Sequence, residues 1–227
     1  MESTNPLAKL TLFDLDHTLL NGDSDVLWCD FLIAQGVLDR ASFAERNTDM
    51  DTRYRAGTVG LEEFANFYVG TLAGRTVQDW EPLRQDFLAG VIVPRIGSAA
   101  MDLVRTHLEA GDLVAMTTAT NRFITELTAR HFGIDHLIAT EPQMQGQIFT
   151  GRTRGTLNMR EGKVTRLHDW LTERGQRFED LESTAYSDSI NDLPLLQAVQ
   201  RAVAVDPDER LHAQAQAQGW PILNLAR

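Results

Sequence analysis

The run Leu10-Thr11-Leu12-Phe13 passes straight into Asp14-Leu15-Asp16-His17-Thr18, and no other junction constrains the fold of this chain as strongly. An apolar run of this kind predicts a buried strand. Residues i and i+2 of a strand share a face. Where the chain leaves the sheet, Asp14 and Asp16 can both reach one crevice, and in open α/β sheets ligands bind in the crevice at the strands' carboxyl ends. Two like charges placed together need an offset. A divalent cation is the simplest one, and a small set of oxygen ligands completed by water suits Mg²⁺.

Around this junction the pattern separates into two regions. The first strand covers about residues 9–13. From Asn21-Gly22 to about Gly90 the chain predicts helices only. Asp23, Ser24 or Asp25 can cap the first of these, which carries Leu27, Trp28, Phe31 and Leu32. A second helix runs from about Asp39 to Arg55 and stops at Gly57. A third opens at Gly60, and Thr76 can cap a fourth. Trp28, Phe31, Phe64 and Phe67 are expected in the core of this helical module. From Val91 onward strand and helix alternate. Strands are expected at 113–117, 136–140, 183–187 and 202–205, with a last one at 222–223. Helices are expected at 98–110, 121–131, around Val164, Leu167 and Leu171, and at 191–199. Gly146 centres a hairpin or flap. This order predicts an α/β fold with a doubly wound parallel sheet.

The length of 227 residues accommodates one large domain, or one domain carrying a smaller one. With 21 basic and 32 acidic residues the net charge is −11, which argues against nucleic acid and anionic membranes as partners. An anionic substrate must then be held by local cations. Cys29 is the only cysteine, so no intrachain disulfide or cysteine metal cluster forms. The six histidines show no zinc-binding spacing. No apolar signal region opens the chain and no run approaches a membrane span, so a soluble cytoplasmic protein is expected.

Further polar groups fall at predicted strand ends. Met116-Thr117-Thr118-Ala119-Thr120 closes one strand with hydroxyls at an expected helix start, where anions bind readily. Lys163 stands at another helix start, where the dipole disfavours a cation unless an anion is its partner. Tyr186-Ser187-Asp188-Ser189-Ile190-Asn191-Asp192 ends a strand with two acids four residues apart. A nucleophile candidate, a second acid, a hydroxyl, a lysine and an acid pair match phosphoryl transfer. That reaction needs an in-line nucleophile, a bridging metal and stabilised equatorial oxygens.

Carried by these motifs in this order, the chain resembles the haloacid dehalogenase superfamily, in its phosphoserine-phosphatase-like branch. Asp14 to Thr18 match the first family motif, Thr118 the second (with Thr117 as the rival register), Lys163 the third, and Asp188 with Asp192 the fourth. The resemblance implies a Rossmann-like core of residues 1–21 and 92–227, a helical-bundle cap of residues 22–91, and a β-hairpin flap near 143–155. It also implies roles. Asp14 attacks phosphorus, and Asp16 protonates the leaving group and then activates water. Asp14, the backbone carbonyl of Asp16, and Asp188 bind Mg²⁺, supported by Asn191 and Asp192. Thr118, the amide of Ala119 and Lys163 hold the phosphate.

The activity implied is a Mg²⁺-dependent phosphomonoester hydrolase acting on a small phosphorylated metabolite, as monomer or homodimer. The presence of Asp16 disfavours a dehalogenase. A receiver-like phosphoacceptor fits poorly, because its acid pair comes first and it has no place for the helical insert. An inactive binding relative is the remaining alternative. Asp23 sits near the position of the substrate-binding Glu of phosphoserine phosphatases, while neither Arg53 nor Arg55 aligns securely with their cap Arg. Phosphoserine and an amino-bearing ester such as histidinol phosphate both remain open. His17 is expected to pack or to touch the cap. Arg152, Arg154 and Arg160 form a basic cluster near the flap.

Overall fold

The computed structural model describes residues 7–225. The first strand, β1 (Ala8–Phe13), lies at the centre of a seven-stranded sheet. Four helices follow: α1 (Ser24–Ala34), α2 (Arg40–Ala56), α3 (Leu61–Val69) and α4 (Val77–Phe87). The helical run does not stop at Gly90. One π turn and one 3₁₀ turn carry it to Arg95, because the chain must come back beside its point of departure. There the Asn21 amide donates to the Arg95 carbonyl at 3.0 Å. The rest alternates: α5 (Ser98–Glu109), β2 (Leu113–Asn121), α6 (Arg122–His131), β3 (His136–Gln145), β4 (Ile148–Arg154), α7 (Glu161–Glu173), β5 (Leu181–Ser187), α8 (Leu193–Ala198), β6 (Arg201–Val205), α9 (Glu209–Gln218) and β7 (Ile222–Leu223).

The strand order is β4-β3-β2-β1-β5-β6-β7, parallel throughout except for β4, which runs antiparallel to β3. The chain winds outward from β1 in one direction and then returns to wind in the other. The two windings diverge at the carboxyl end of β1, where such sheets leave a crevice. Side chains of β1 alternate as a strand buried on both faces must. Leu10 and Leu12 enter the apolar cluster beneath α7, α8 and α9, and Phe13 enters the cluster shared by α5 and α6.

Local chemistry explains the helix ends. Asp23 caps α1, its Oδ1 accepting from the amides of Asp25 (2.9 Å) and Val26 (3.0 Å). Asp39 caps α2, which stops at Gly57 in the left-handed region, φ 71°. Thr76 and Asp79 form a capping box at α4. One helix, α9, falls outside the expectations. Its apolar stripe is only Leu211 and Ala215, set in alternating Ala and Gln.

The aromatic set expected in one helical core is divided between two. Trp28 and Phe31 join Trp80, Phe87, Phe13, Met116 and Phe123 in the cluster of the sheet. Phe64, with Phe67 packed on it, joins Cys29, Ile33, Met50 and Tyr68 in a second cluster between α1, α2 and α3. Helix α1 is therefore apolar on two sides. The Trp28 indole is fully buried, crosses Phe87 edge-on at 5.1 Å, and donates to Thr71 Oγ1 at 3.1 Å. Truncating such a ring leaves a cavity and an orphaned hydroxyl. Trp28→Ala is expected to cost about 3–5 kcal/mol in chemical denaturation, and Trp28→Phe clearly less.

Candidate active site

A cavity of about 290 Å³ opens at the carboxyl ends of β1, β2 and β5. Seven acidic and three basic side chains line it, with Tyr54 and Phe64 from α2 and α3 forming the aromatic part of its wall. Asp14 is only 6% exposed, and its two carboxyl oxygens are used differently. Oδ1 accepts from Lys163 Nζ at 2.7 Å, and Oδ2 lies 3.0 Å from Thr18 Oγ1. Thr18 ties two strand ends together. Its hydroxyl is also 3.1 Å from Asp188 Oδ1 and accepts from the Asp188 amide at 3.0 Å. Lys163 Nζ also donates to Asp192 Oδ2 at 2.6 Å, an oxygen that accepts from Ser187 Oγ at 2.8 Å.

Lys163 reaches this point from the first turn of α7 because the chain before the helix is tightly wound. Gly162 has no room for a Cβ, which would collide with the Leu157 carbonyl oxygen. The Asn158 side-chain amide donates to Thr117 Oγ1 at 3.0 Å and to the carbonyl of Thr118 at 2.9 Å. The Thr117 hydroxyl is thus held by Asn158, while the Thr118 hydroxyl bonds to Asp16.

Contrary to the expectation from the sequence, Thr118 does not stand at a helix start. Strand β2 continues to Asn121, which caps α6 by accepting from the Ile124 amide at 3.2 Å. A register shift against β3 falls between Thr118 and Asn121. The strand end thereby presents Ala119 and Thr120 to the cavity. Asp16 accepts from three donors: the Ser24 amide at 2.7 Å on Oδ1, and Thr120 and Thr118 at 3.0 and 3.3 Å on Oδ2.

Of the residues expected at the site, Asp14, Asp16, Asp23, Ala119, Lys163, Asp188, Asn191 and Asp192 line the cavity. Thr118 is fully buried behind them, joined to them through Asp16. Arg55 lines the cavity, bonded to Asp51 at 2.8 Å and to His17 Nε2 at 2.8 Å, so His17 does meet the helical segment. Arg53 pairs instead with Glu63 on the helix surface. Arg152, Arg154 and Arg160 are absent from the lining. Thr120, Tyr54, Phe64 and Arg210 were not anticipated. A signal for Thr120 existed in its spacing of two from Thr118. The others depend on how helices pack.

The electrostatics show a site short of positive charge. Burial pushes the Asp14 carboxyl up to about 7, with Lys163 pulling the other way and Asp192 and Asp16 adding to the rise. Asp188 is also held well above the usual carboxylate range, by burial and then by the charges of Asp14 and Asp192. Asp23 is lifted to about 8 by burial and the nearby Asp16 charge. Burial disfavours the Lys163 ammonium, but Asp14 and Asp192 outweigh it and raise its pKa. The three basic side chains of the lining, Arg55, Lys163 and Arg210, are outnumbered by its seven acidic ones. Among the described residues no group of three or more His, Cys, Asp or Glu side chains is arranged to hold a metal. Two carboxylates, Asp14 and Asp188, together with the Asp16 carbonyl make a sparse hard-oxygen set, which fits Mg²⁺ completed by water.

The sequence pattern of the haloacid dehalogenase-like hydrolases matches residues 11–197. A histidinol-phosphatase of Neisseria meningitidis is 38% identical, covering 96% of this chain and 99% of its own length. Phosphoserine phosphatase SerB1 of Mycobacterium tuberculosis is 30% identical, with 95% and 70% covered. Among solved structures, a Bordetella pertussis Tohama I protein is 45% identical and superposes with a TM-score of 0.92, covering 96% of this chain and 99% of that one. A substrate-bound phosphoserine phosphatase shares the fold at 17% identity and a TM-score of 0.70, with 96% and 94% covered. No single helix among the described residues is long and apolar enough to cross a membrane.

The raised carboxyls fix the sign of a pH effect. Asp14 binds its proton up to about 7 in the folded protein, against 3.8 for an ordinary aspartate, so between those values the native state holds more protons than the unfolded one. Stability from this group is therefore lost as pH rises through the window. In metal-free protein, Asp14→Asn is expected to raise the thermal midpoint relative to wild type at pH 8 and to change it little at pH 4. Scanning calorimetry of both proteins at the two pH values checks this, and equal shifts at both would contradict it.

Proposed function

The chain belongs to the haloacid dehalogenase-like hydrolases, and from that membership and the site's geometry we propose a Mg²⁺-dependent phosphomonoesterase that works through an aspartyl-phosphate on Asp14. The observation that carries this reading is the buried carboxylate of Asp14, fixed by Lys163 on one oxygen and Thr18 on the other at the mouth of the sheet. A nucleophile must be held against rotation and presented without water competing for it.

Asp14, Asp188 and the Asp16 carbonyl would hold Mg²⁺, which when bound neutralises part of the carboxylate and phosphoryl charge. Lys163 supplies positive charge beside the attacking oxygen. Asp192 orients Lys163, and Asn191 lines the wall next to it. In this reading Thr118 and the Ala119 amide donate to the phosphoryl oxygens, Ala119 from the cavity wall and Thr118 from behind it. Asp14 attacks phosphorus in line, and the bond to the leaving oxygen breaks as Asp16 delivers a proton to it. Asp16, now a carboxylate, takes a proton from water, which attacks the phosphorus of the acyl phosphate. That step releases phosphate and restores Asp14. Roles this different are open to Asp14 and Asp16 because their surroundings differ: one faces an ammonium, the other an amide and two hydroxyls.

The substrate proposed is the phosphate ester of a small amino alcohol, histidinol phosphate first. Its amine suits Asp23, a cavity-lining carboxyl that burial and Asp16 push up and Arg55 pulls down, and its ring suits Tyr54 and Phe64. The similarity to the Neisseria meningitidis histidinol-phosphatase supports the same choice. Segment 22–91 is proposed as a cap over this cavity. Closure would be a tilt about 20–22 and 92–97, since α1 and α4 stay seated in the apolar cluster of the sheet.

Activity is expected to vanish in chelator and return with Mg²⁺; full turnover in metal-free buffer contradicts the metal assignment. Asp14→Asn is expected to abolish both turnover and acid-stable label. Asp16→Asn is expected to lose about 10²–10⁴ in rate with alkyl esters, while an activated aryl ester still labels Asp14; label on any other residue overturns the mechanism. Asp23→Asn keeps the helix cap and is expected to raise KM for histidinol phosphate about 10–100-fold, the worth of one charged hydrogen bond, while leaving an amine-free aryl phosphate unchanged. A phosphoserine preference in the same panel would shift the substrate assignment to an amino acid ester.

A further inference from the structure

Asp16 is held by more of the protein than the second motif supplies. Both hydroxyls on its Oδ2 come from the end of β2, at positions 118 and 120. Residues two apart in a strand share a face, and both hydroxyls reach Asp16 where the register against β3 shifts. The two hydroxyls have different surroundings. Thr118 is fully buried, and its Oγ1 already accepts from the Thr120 amide at 3.2 Å. Thr120 is 2% exposed but lines the cavity, and it makes the shorter bond to Asp16, 3.0 Å against 3.3 Å.

A threonine hydroxyl carries one proton. When Thr118 gives its proton to a phosphoryl oxygen, it withdraws from Asp16. Oδ2 is then left with Thr120 alone, and Oδ1 with the Ser24 amide at the start of α1. We propose that Thr120 is a positioning residue for Asp16, its hydroxyl fixing the acid–base carboxylate while Thr118 serves the phosphoryl group. The proposal rests on the phosphomonoesterase reading above and adds a second hydroxyl with a separate task. The spacing of two divides the work: one strand end supplies a donor to each of two acceptors that must be served at once. Asp16 is also clamped between the sheet, through Thr120, and the helical segment, through Ser24. Its placement therefore depends on both.

Thr120→Val preserves shape and branching and removes the hydroxyl with its contacts to Asp16 and Asp25. Placement errors of about an ångström can cost on the order of 100-fold in rate. Thr120→Val is expected to lower kcat about 10–100-fold, to leave KM nearly unchanged, and to raise the fraction of enzyme trapped as aspartyl-phosphate in acid quench. Thr120→Ser is expected to recover most of the lost kcat. The decisive measurement is the cycle with Asp16→Asn. If Thr120 acts through Asp16, adding Thr120→Val to Asp16→Asn changes labelling of Asp14 by an activated aryl phosphate less than about twofold. An equal loss in both backgrounds, a loss confined to KM, or an unchanged kcat in Thr120→Val overturns the assignment. Should Thr120→Val fail to fold, Thr120→Ala takes its place in the same cycle. Wild-type enzyme that never labels on Asp14 would overturn the parent reading as well, and that result appears before any Thr120 variant is made.

Discussion

Everything at the mouth of the sheet is arranged around the buried ammonium of Lys163. It sits between Asp14 and Asp192 with 2% of its side chain exposed, and it comes from an element far from either in sequence. Burying such a group is costly, and ion pairs inside proteins return little net stability. Its consequence lies in geometry and charge. It pins one oxygen of Asp14, so that Thr18 can fix the other, and it leaves the remaining carboxylates short of a counter-charge. The loop before α7 exists to deliver it: Asn158 bonds to β2, and Gly162 leaves the Leu157 carbonyl its space.

The helical segment is tied to the rest of the fold at many points, among them the backbone hydrogen bonds of Gly74 and Arg75 to Phe149 of β4 and the Arg84–Glu126 ion pair. Trp28, Phe31, Trp80 and Phe87 share an apolar cluster with Phe13 and Phe123. The Ser24 amide reaches Asp16, and Arg55 reaches His17 within the same motif loop. The part that faces the cavity, with Tyr54 and Phe64, has its own smaller cluster. The base of the segment and its cavity-facing part thus pack on separate clusters, because the two bury different sides of α1.

Much of the site was legible in the chain. Asp14 and Asp16 followed an unmistakable buried strand, Asp188 and Asp192 closed another, and Lys163 opened a helix whose dipole it opposes. The register at the second motif was less clear, since Thr117 and Thr118 have the same chemistry and only Asn158, forty residues away, separates them. Helix α9 escaped notice because two apolar residues among Ala and Gln give almost no stripe, yet its first turn brings Arg210 to the cavity rim. The division of the aromatic set went unseen for a related reason: periodicity shows that α1 is buried, and cannot show that it is buried on two sides.

By itself the sequence determined the alternation of strand and helix, the helical insertion and the acids at strand ends. Each is a local property: side-chain period, capping chemistry and the place where an apolar run stops. The tertiary structure decided which groups meet. It extended β2 by several residues and shifted its register, so that Thr120 joined Thr118 on Asp16. It chose Arg55 over Arg53 for the cavity, two residues apart on one helix and therefore on different faces. It also set one ammonium among several carboxylates, which no local pattern encodes, since a charge balance belongs to a volume and not to a stretch of chain.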